Sequence, residues 1–281
     1  MHNGSCMYLR PAFFIIGERK CGTSSLYRYL VAHPQVLPCQ LKEPQFFSWG
    51  AAYVDAHIDA YFRLFPPVAY AGDISYVWPE LDAAGILYHE GVQVKRIPGQ
   101  TYYTGEASAN TFHEVDPALV HRHLPEMKLI VVLRDPVQRA FSHHRMYRRF
   151  RDEGRPLGVE ITTFAADMDR ELALLADGQH SELLSPGFYL HNLRRWLAYF
   201  PPEQLLVLIT EDLEQDTARV MREVLAYLGF PPHDYGDLLQ QRYNRAPSEQ
   251  PDAATAARLR ACYAPHNAEL ARFLGRALPW G

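Results

Sequence analysis

Three short strand-like runs, each followed by a helical pattern, organise the hydrophobic and polar positions of this chain. The runs are residues 12–16, 128–133 and 205–209. A largely apolar run of this length, without regular polar alternation, is typical of a strand buried on both faces of a parallel sheet. The pattern therefore predicts one α/β domain over residues 1–281, with a central parallel sheet flanked by helices.

Helical periodicity and capping residues predict most of the remaining elements. Thr23 or Ser24 is expected to cap the first helix, because a side-chain hydroxyl can accept from the N–H groups of the first turn. Ligands of such a sheet bind beyond the carboxyl ends of its strands, so the loops at 17–25 and 134–142 are the first candidates for a site. The expected helices are 23–32, one that opens at Pro136 with Asp135 as its cap, 187–200, 217–228 with Gly229 as its end, and 252–274.

Composition and charge exclude several classes of protein. Hydrophobic residues make up 48% and charged residues 21%, as in ordinary globular proteins, so the chain is not disordered as a whole. A net charge of −4 gives no overall field that attracts nucleic acid or an anionic membrane. No apolar run approaches the length of a membrane span, and the first residues lack a secretory pattern.

The cysteines complete this part of the analysis. There are four, without a CxxC pair, which indicates neither a zinc site nor a disulfide framework. No other spacing of Cys, His, Asp or Glu implies a metal. We therefore expect a cytoplasmic protein, with a composition that suits a bacterium, that binds no metal and no nucleic acid.

The loop after the first strand carries the groups of an anion site. It reads Gly17-Glu18-Arg19-Lys20-Cys21-Gly22-Thr23-Ser24-Ser25. Glycines let the backbone approach a ligand, the helix start offers N–H groups, and Lys20 adds a positive charge. The loop is P-loop-like but is no Walker A motif, because Lys20 precedes Gly22 instead of following it. A plain strand-to-helix turn remains the alternative for this loop alone.

A second concentration of positive charge begins where the second predicted strand ends. Seven arginines lie between Arg134 and Arg155. They can form an anion site at the strand end or the solvated face of a helix, and the pattern leaves both interpretations open.

Several motifs point to one family when they are taken together. They are the loop at 17–26, Lys42-Glu43-Pro44-Gln45-Phe46-Phe47, the run from Leu129 through Arg134-Asp135-Pro136 to Ser142, and the segments 187–200 and 266–280. These motifs resemble those of the sulfotransferases that use 3′-phosphoadenosine 5′-phosphosulfate (PAPS), in the carbohydrate branch, which includes heparan and chondroitin sulfotransferases and bacterial relatives. The similarity leaves out about residues 68–104. It implies an α/β sulfotransferase domain that moves a sulfuryl group from PAPS to a hydroxyl or amine by direct in-line transfer, without a metal.

The resemblance also implies which residues bind the nucleotide. Arg134 and Ser142 would hold the 3′-phosphate, and Arg242 or Arg245 would belong to a basic loop that closes over the nucleotide. Arg139, inside the second motif, is expected to pack or to lie at the surface. The 5′-phosphosulfate would be held by Lys20, Cys21, Gly22, Thr23, Ser24 and Ser25.

Two carboxylates compete for the role of general base. Glu43 matches the catalytic glutamate of the family, and Lys20 would assist the departure of the phosphate. Glu106 lies in a second motif and is the alternative, with a role in orienting the loops or the acceptor if Glu43 is the base. Ala107 replaces a lysine of the relatives, and Met146 stands where some of them place a catalytic histidine.

The acceptor is expected to be a carbohydrate, a glycolipid or a small molecule. The slightly acidic chain and the missing lysine favour a neutral acceptor over a highly sulfated glycan. Residues 68–104 are expected to form a lid or small subdomain on the acceptor side, with Trp78 and the Tyr102-Tyr103 pair as aromatic platforms. The candidate acceptor residues are Lys42, Trp78, Glu106 and His144.

Two other functions compete with sulfuryl transfer. A nucleotide phosphotransferase would use a similar loop, but the lysine is misplaced and no acidic partner for magnesium is evident. A nucleotide-binding module without catalysis is the second, although Lys20 and Glu43 are both present.

Overall fold

The computed structural model describes residues 7–69, 71–81, 87–240 and 249–280, without the side chains of residues 78–81 and 87–88. Its strands are β1 (Phe13–Gly17), β2 (Val36–Pro38), β3 (Gly72–Leu81), β4 (Leu87–Val94), β5 (Tyr103–Ala107), β6 (Lys128–Leu133) and β7 (Leu205–Ile209). Its α-helices are α1 (Thr23–Val31), α2 (Ala51–Phe62), α3 (Thr111–Glu114), α4 (Pro117–His123), α5 (Pro136–Asp152), α6 (Phe164–Ala176), α7 (Tyr189–Leu197), α8 (Thr210–Gln215), α9 (Thr217–Leu228) and α10 (Ala253–Leu274). Short 3₁₀ turns cover Phe46–Trp49, Ser185–Gly187, Pro202–Gln204 and Gly236–Gln240.

The predicted α/β fold is confirmed, and β1 is its central strand. Five parallel strands pair in the order β2-β5-β1-β6-β7. The side chains of β1 alternate between two cores: Phe14 and Ile16 pack with α2, α7 and α10, whereas Phe13 and Ile15 pack with α1 and α9. Because both faces are covered, the carboxyl edge of the sheet is where a ligand can reach the strand ends.

Two strands of this sheet are absent from the sequence-based prediction. β2 has only three residues and ends at Pro38, and β5 contains Gly105 and the buried acid Glu106 instead of an apolar run. Gly105 is required there because a Cβ would lie 2.5 Å from Phe13 O of the neighbouring strand. Tertiary pairing, rather than local hydrophobicity, therefore creates both strands.

Helix ends follow the predicted chemistry in two of three cases. The Asp135 carboxylate accepts from Val137 N at 2.9 Å and caps α5, and Gly229 ends α9 with a φ of 74°. The prediction that Thr23 or Ser24 caps α1 is wrong. The residue in that position is Gly22, whose φ of 92° falls in the left-handed region that glycine adopts readily, and no side chain closes the helix.

The segment at 68–104 contains an antiparallel hairpin, β3–β4, and its last two residues already belong to β5 of the central sheet. Tyr76 of the hairpin is buried and packs edge-on against Tyr27 with a centroid distance of 6.2 Å. Val77 N donates to Gln40 O, and Lys42 N donates to Val77 O, both at 2.8 Å. The hairpin is thus bonded to the chain directly before Glu43.

Candidate active site

The first predicted anion-binding loop leaves β1 and enters α1 at the carboxyl edge of the sheet. Lys20 has a φ of 71° and Gly22 a φ of 92°, so the chain turns sharply just before the helix. Thr210 Oγ1 lies 2.7 Å from Cys21 O and fixes the turn against α8. The start of α1 can bind an anion with its N–H groups, as helix starts do.

Cys21 takes part in this loop through its backbone. Its side chain is fully buried, and burial together with the Glu18 carboxylate raises the pKa of the thiol to about 12. The sulfur is therefore protonated and packs within the fold, and the Cys21 amide donates to Glu18 O at 3.1 Å. Contact of Cys21 with the phosphosulfate stays a prediction.

The second predicted anion-binding loop begins at Arg134, directly after β6. Arg134 Nη1 donates to Lys20 O at 3.2 Å, so the two predicted loops lie side by side. The hydroxyl of Tyr189 donates to Arg134 O at 2.8 Å and holds the same turn from α7. Ser142 lies in the second turn of α5 and is half-buried. The structure therefore brings Lys20 and Arg134 together, as the order of the motifs predicted.

Glu43 lies between β2 and the 3₁₀ turn at Phe46–Trp49, in a backbone conformation with a φ of 60°. Its N–H donates to Ala107 O at 2.9 Å, which ties it to the carboxyl end of β5. Lys42 Nζ donates to Glu43 Oε1 at 2.5 Å, and the two side chains are 1% and 18% exposed. The burial of Lys42 does not favour the predicted contact with the acceptor, and that role of Lys42 stays a prediction.

Glu106 occupies a buried position under the same segment. Tyr61 OH donates to its Oε1 at 2.8 Å, and Ser108 Oγ donates to its Oε2 at 2.7 Å. Burial raises the pKa of this carboxyl to about 7, even though the hydrogen bonds from Ser108 and Tyr61 lower it. Both oxygens of Glu106 thus have protein partners, in contrast to the partly exposed Glu43.

His144 does not lie at an open surface. It is 1% exposed, and its Nε2 lies 2.9 Å from Asp167 Oδ2 while Phe164 packs against the ring. Burial lowers the pKa of this histidine. Such surroundings do not favour contact with an acceptor, and the role of His144 in binding the acceptor stays a prediction.

The geometry does not favour the Tyr102-Tyr103 pair as an acceptor platform, which stays a prediction. Tyr102 is buried, and its hydroxyl accepts from Ile97 N and donates to Lys95 O, both at 3.1 Å. Tyr103 stacks on Phe230 with a centroid distance of 4.0 Å. Both rings are therefore used within the fold.

Three predicted residues fall where the structure gives no side-chain description. Trp78 lies in β3, but its side chain is outside the described part, and Arg242 and Arg245 lie in the segment 241–248, which is outside it altogether. Their roles stay predictions.

The arginines between 134 and 155 serve two purposes. Arg134 lies at the loop, and Arg139 is fully buried with its guanidinium donating to Leu183 O, so it packs as expected. Several others lie on α5 and form ion pairs at or near the surface: Arg145 with Glu249, Arg149 with Glu153, and Arg151 with Asp152.

Arg19 and Asn110 are polar residues at the site that the sequence reasoning missed. Arg19 Nε donates to Asn110 Oδ1 at 3.0 Å, and Asn110 is 9% exposed. Each lies inside a motif already singled out, Arg19 beside Lys20 and Asn110 four residues after Glu106. Their positions inside these motifs are the sequence signal by which both residues could have been found.

The described residues contain neither a group of metal ligands nor a membrane-spanning helix. In the ranges given above, no three His, Cys, Asp or Glu side chains are grouped as ligands for a metal ion. Among the helices of those ranges, none is both long and apolar enough to cross a membrane.

Comparisons with known proteins give the family. A profile described as "Sulfotransferase family" matches residues 11–234. A sulfotransferase structure from Alicyclobacillus acidocaldarius is 26% identical, with a TM-score of 0.67 and coverage of 96% of this chain and 97% of that one. Human bifunctional heparan sulfate N-deacetylase/N-sulfotransferase 3 is 32% identical over 243 residues, which are 82% of this chain and 23% of that protein.

A further relative is a human carbohydrate sulfotransferase. Human carbohydrate sulfotransferase 15 is 26% identical over 312 aligned residues, covering 96% of this chain and 54% of that protein. The chain thus spans between about a quarter and a half of the length of these curated relatives. With the profile match over most of its residues and the same α/β architecture in a solved sulfotransferase, the chain belongs to the sulfotransferase family.

Proposed function

We propose that the chain transfers a sulfuryl group from PAPS to a hydroxyl or amine of a carbohydrate, glycolipid or small-molecule acceptor. The observation that carries the proposal is the hydrogen bond from Arg134 to Lys20 O, since it joins two anion-binding loops into one site. A nucleotide with phosphates at both its 3′ and 5′ positions matches such a paired site.

On the donor side, the start of α1 and Lys20 bind the 5′-phosphosulfate, while Arg134 and Ser142 bind the 3′-phosphate. When the bond between sulfur and the phosphate oxygen breaks, negative charge grows on that oxygen. Lys20 meets this charge and stabilises the transition state more than the ground state. The planar guanidinium of Arg134 suits a phosphate because it can donate two parallel hydrogen bonds.

On the acceptor side, Glu43 is the general base. The acceptor oxygen or nitrogen forms the new bond to sulfur and gives its proton to the Glu43 carboxylate. The products are a sulfate ester or sulfamate and adenosine 3′,5′-bisphosphate (PAP). Glu43 is favoured over Glu106, because Glu106 is fully buried and both its oxygens have protein partners.

The hairpin β3–β4 forms a wall on the acceptor side. Support comes from Val77, whose N–H and carbonyl bond to Gln40 and Lys42, so that the hairpin is attached one residue before the base. The Arg28 guanidinium adds a second attachment, with Nη2 lying 2.7 Å from Glu90 Oε1 of β4.

Arg242 and Arg245 are retained as nucleotide-binding residues of a closing loop. The residues that follow this segment contact the helix that carries Ser142. Gln138 Nε2 donates to Gln250 Oε1 at 2.8 Å, and Arg145 Nε lies 3.3 Å from Glu249 Oε2. The chain therefore returns to α5 directly after the basic segment.

The class of acceptor follows from the charges near the site. Because the arginines of α5 other than the buried Arg139 are paired with acids and Ala107 replaces the lysine of the relatives, a neutral acceptor suits this chain better than a highly sulfated glycan. The described cysteines are free thiols, which supports a reducing, cytoplasmic setting.

Thermal unfolding with added nucleotides tests the donor half of the proposal. PAP should raise the melting temperature, whereas ATP with magnesium should not. Stabilisation by ATP and magnesium without stabilisation by PAP would favour a phosphotransferase and overturn the proposal. Stabilisation by PAP without sulfuryl transfer to any acceptor class would favour a binding module.

A further inference from the structure

The side chain of Arg19 is held by groups from several elements. Its Nε donates to Asn110 Oδ1 at 3.0 Å, and its Nη2 donates to Glu114 Oε1 at 2.9 Å. On the other side, Nη1 lies 3.1 Å from His143 Nε2 and 3.3 Å from Tyr147 OH. The guanidinium is 15% exposed, and these contacts use most of its five N–H groups. Arg19 is thus bound by the protein and is not offered to a ligand.

The histidine in this set is a neutral acceptor. Burial, together with the charges of Arg19 and Arg139, lowers the pKa of His143 well below its usual value. Since arginine can only donate, Nε2 of His143 must accept from Arg19. His143 directly follows Ser142, so Arg19 also touches the helix that binds the 3′-phosphate.

Glu18, the residue before Arg19, is also held by hydrogen bonds. Glu18 is fully buried, and its Oε1 accepts from Arg19 N at 2.5 Å while its Oε2 lies 2.8 Å from His113 Nδ1. Although burial lowers the pKa of His113, the charges of Glu18 and Glu114 outweigh it and raise the value to about 9. A charged imidazolium therefore holds Glu18 at neutral pH.

Asn110 continues the chain of contacts toward the base. Its Nδ2 donates to Gln45 Oε1 at 3.5 Å, and Gln45 N donates to Ser108 Oγ at 3.0 Å. Gln45 has a φ of 48°, so its backbone is held in the left-handed region just after Glu43 and Pro44. Residues 108–110 therefore contact both the loop of Lys20 and the segment of Glu43.

We propose that Arg19 and Asn110 form a bridge that holds the donor loop in register with the segment of the catalytic carboxylate. Arg19 precedes Lys20, and Gln45 follows Glu43 by two residues, so the bridge joins the group that stabilises the leaving phosphate to the group that takes the proton. In-line transfer depends on the alignment of both, and a misplacement of about 1 Å can cost 100-fold in rate. The inference rests on the proposed function, and both bridge residues act by positioning.

A matched pair of variants separates the bridge from general support of the loop. Asn110→Ala breaks the contact that leads to Gln45, whereas Glu114→Gln alters the contact at Nη2 of the same guanidinium, keeps an acceptor oxygen and leaves the path from Asn110 to Gln45 in place. Asn110→Ala should lower kcat by about 10- to 100-fold, with the Kd for PAP and the acceptor KM unchanged. Glu114→Gln should keep kcat near that of the wild type. Adding Gln45→Ala to Asn110→Ala should cause no further loss of kcat, because both substitutions break the same path of contacts from Arg19 to the segment of Glu43.

Hydrogen exchange on the nucleotide-free proteins gives a readout that needs no turnover. Amides of residues 43–49 should exchange faster in Asn110→Ala than in the wild type or in Glu114→Gln. Unchanged exchange of these amides in Asn110→Ala would overturn the bridge. So would a loss of PAP affinity in Asn110→Ala that accounts for its whole loss of activity. An equal loss of kcat in Glu114→Gln would overturn it as well. A wild-type protein that transfers no sulfuryl group would refute the proposed function, while the exchange comparison would still decide on the bridge.

Discussion

Lys42 and Glu43 are neighbours in sequence and form an ion pair in which the lysine is almost wholly buried and the glutamate is not. The distance from Nζ to Oε1 is 2.5 Å, with side-chain exposures of 1% and 18%. Two backbone bonds hold this dipeptide, from Lys42 N to Val77 O and from Glu43 N to Ala107 O. The carboxylate is thus fixed from both the hairpin and the central sheet.

Lys42→Met should lower kcat by about 10- to 100-fold and leave the affinity for PAP unchanged, because the base loses the charge that fixes its orientation. Steady-state kinetics and PAP titration measure the two quantities. The exposed Lys95→Met serves as control and should behave like the wild type. Unchanged turnover in Lys42→Met would show that the ion pair does not position the base.

Arg134→Lys should weaken the binding of PAP by about tenfold, because an ammonium cannot replace the two parallel hydrogen bonds of the guanidinium. The loss should depend on the 3′-phosphate. Titration of the same variant with adenosine 5′-phosphosulfate, which lacks that group, is the control and should show a much smaller change. An equal loss for both nucleotides would mean that Arg134 acts through its bond to Lys20 O instead.

Glu106 should make folding stability fall as the pH rises. Its pKa in the folded protein is raised from 4.5 to about 7, so the folded state holds the proton more tightly than the unfolded chain. The stabilisation is therefore complete below pH 4.5 and is lost as the pH rises through about 7. The shift corresponds to roughly 3 kcal/mol in the free energy of unfolding.

Urea unfolding at pH 5 and pH 8 measures this effect. The loss of stability at the higher pH should be smaller in Glu106→Gln than in the wild type, while the exposed Glu203→Gln should retain the full loss. An identical pH dependence in Glu106→Gln would show that this carboxyl is ionised in the folded protein across the range.

Removal of the hairpin should affect the kinetics of the acceptor and not the binding of the nucleotide. Replacing residues 70–100 with a short Gly/Ser linker should preserve the affinity for PAP and raise the acceptor KM or abolish transfer, since the nucleotide loops lie on other strands. The folded state of the variant is checked by its stabilisation with PAP. Unchanged acceptor kinetics would place the acceptor site elsewhere.

The sequence predicted those parts of the fold whose signals are local. β1, β6 and β7 are short, strongly apolar strands, and Asp135 and Gly229 mark helix ends with their own chemistry. β2 and β5 could not be found this way, because their place in the sheet depends on pairing with each other and with β1.

The same distinction applies to the site. Lys20 and Arg134 follow apolar strands within motifs, so their approach could be expected from a parallel sheet, whereas the place of Glu43 depends on β2, which has no local signal. The burial of Lys42 is set by tertiary packing, and the contact of Arg19 with Asn110 joins residues that are far apart in the chain. Neither feature is encoded locally in a single sequence.

Sulfuryl transfer itself is best tested by incubating the protein with PAPS and a set of neutral sugars and amino sugars, followed by mass spectrometry. The wild type should add one SO₃ unit to at least one acceptor and release an equal amount of PAP. Glu43→Gln should still be stabilised by PAP and lose turnover by about 100-fold or more. Near-normal turnover in Glu43→Gln would contradict the assignment of the base. Stabilisation by ATP with magnesium, but not by PAP, together with no sulfated product, would contradict the proposed reaction.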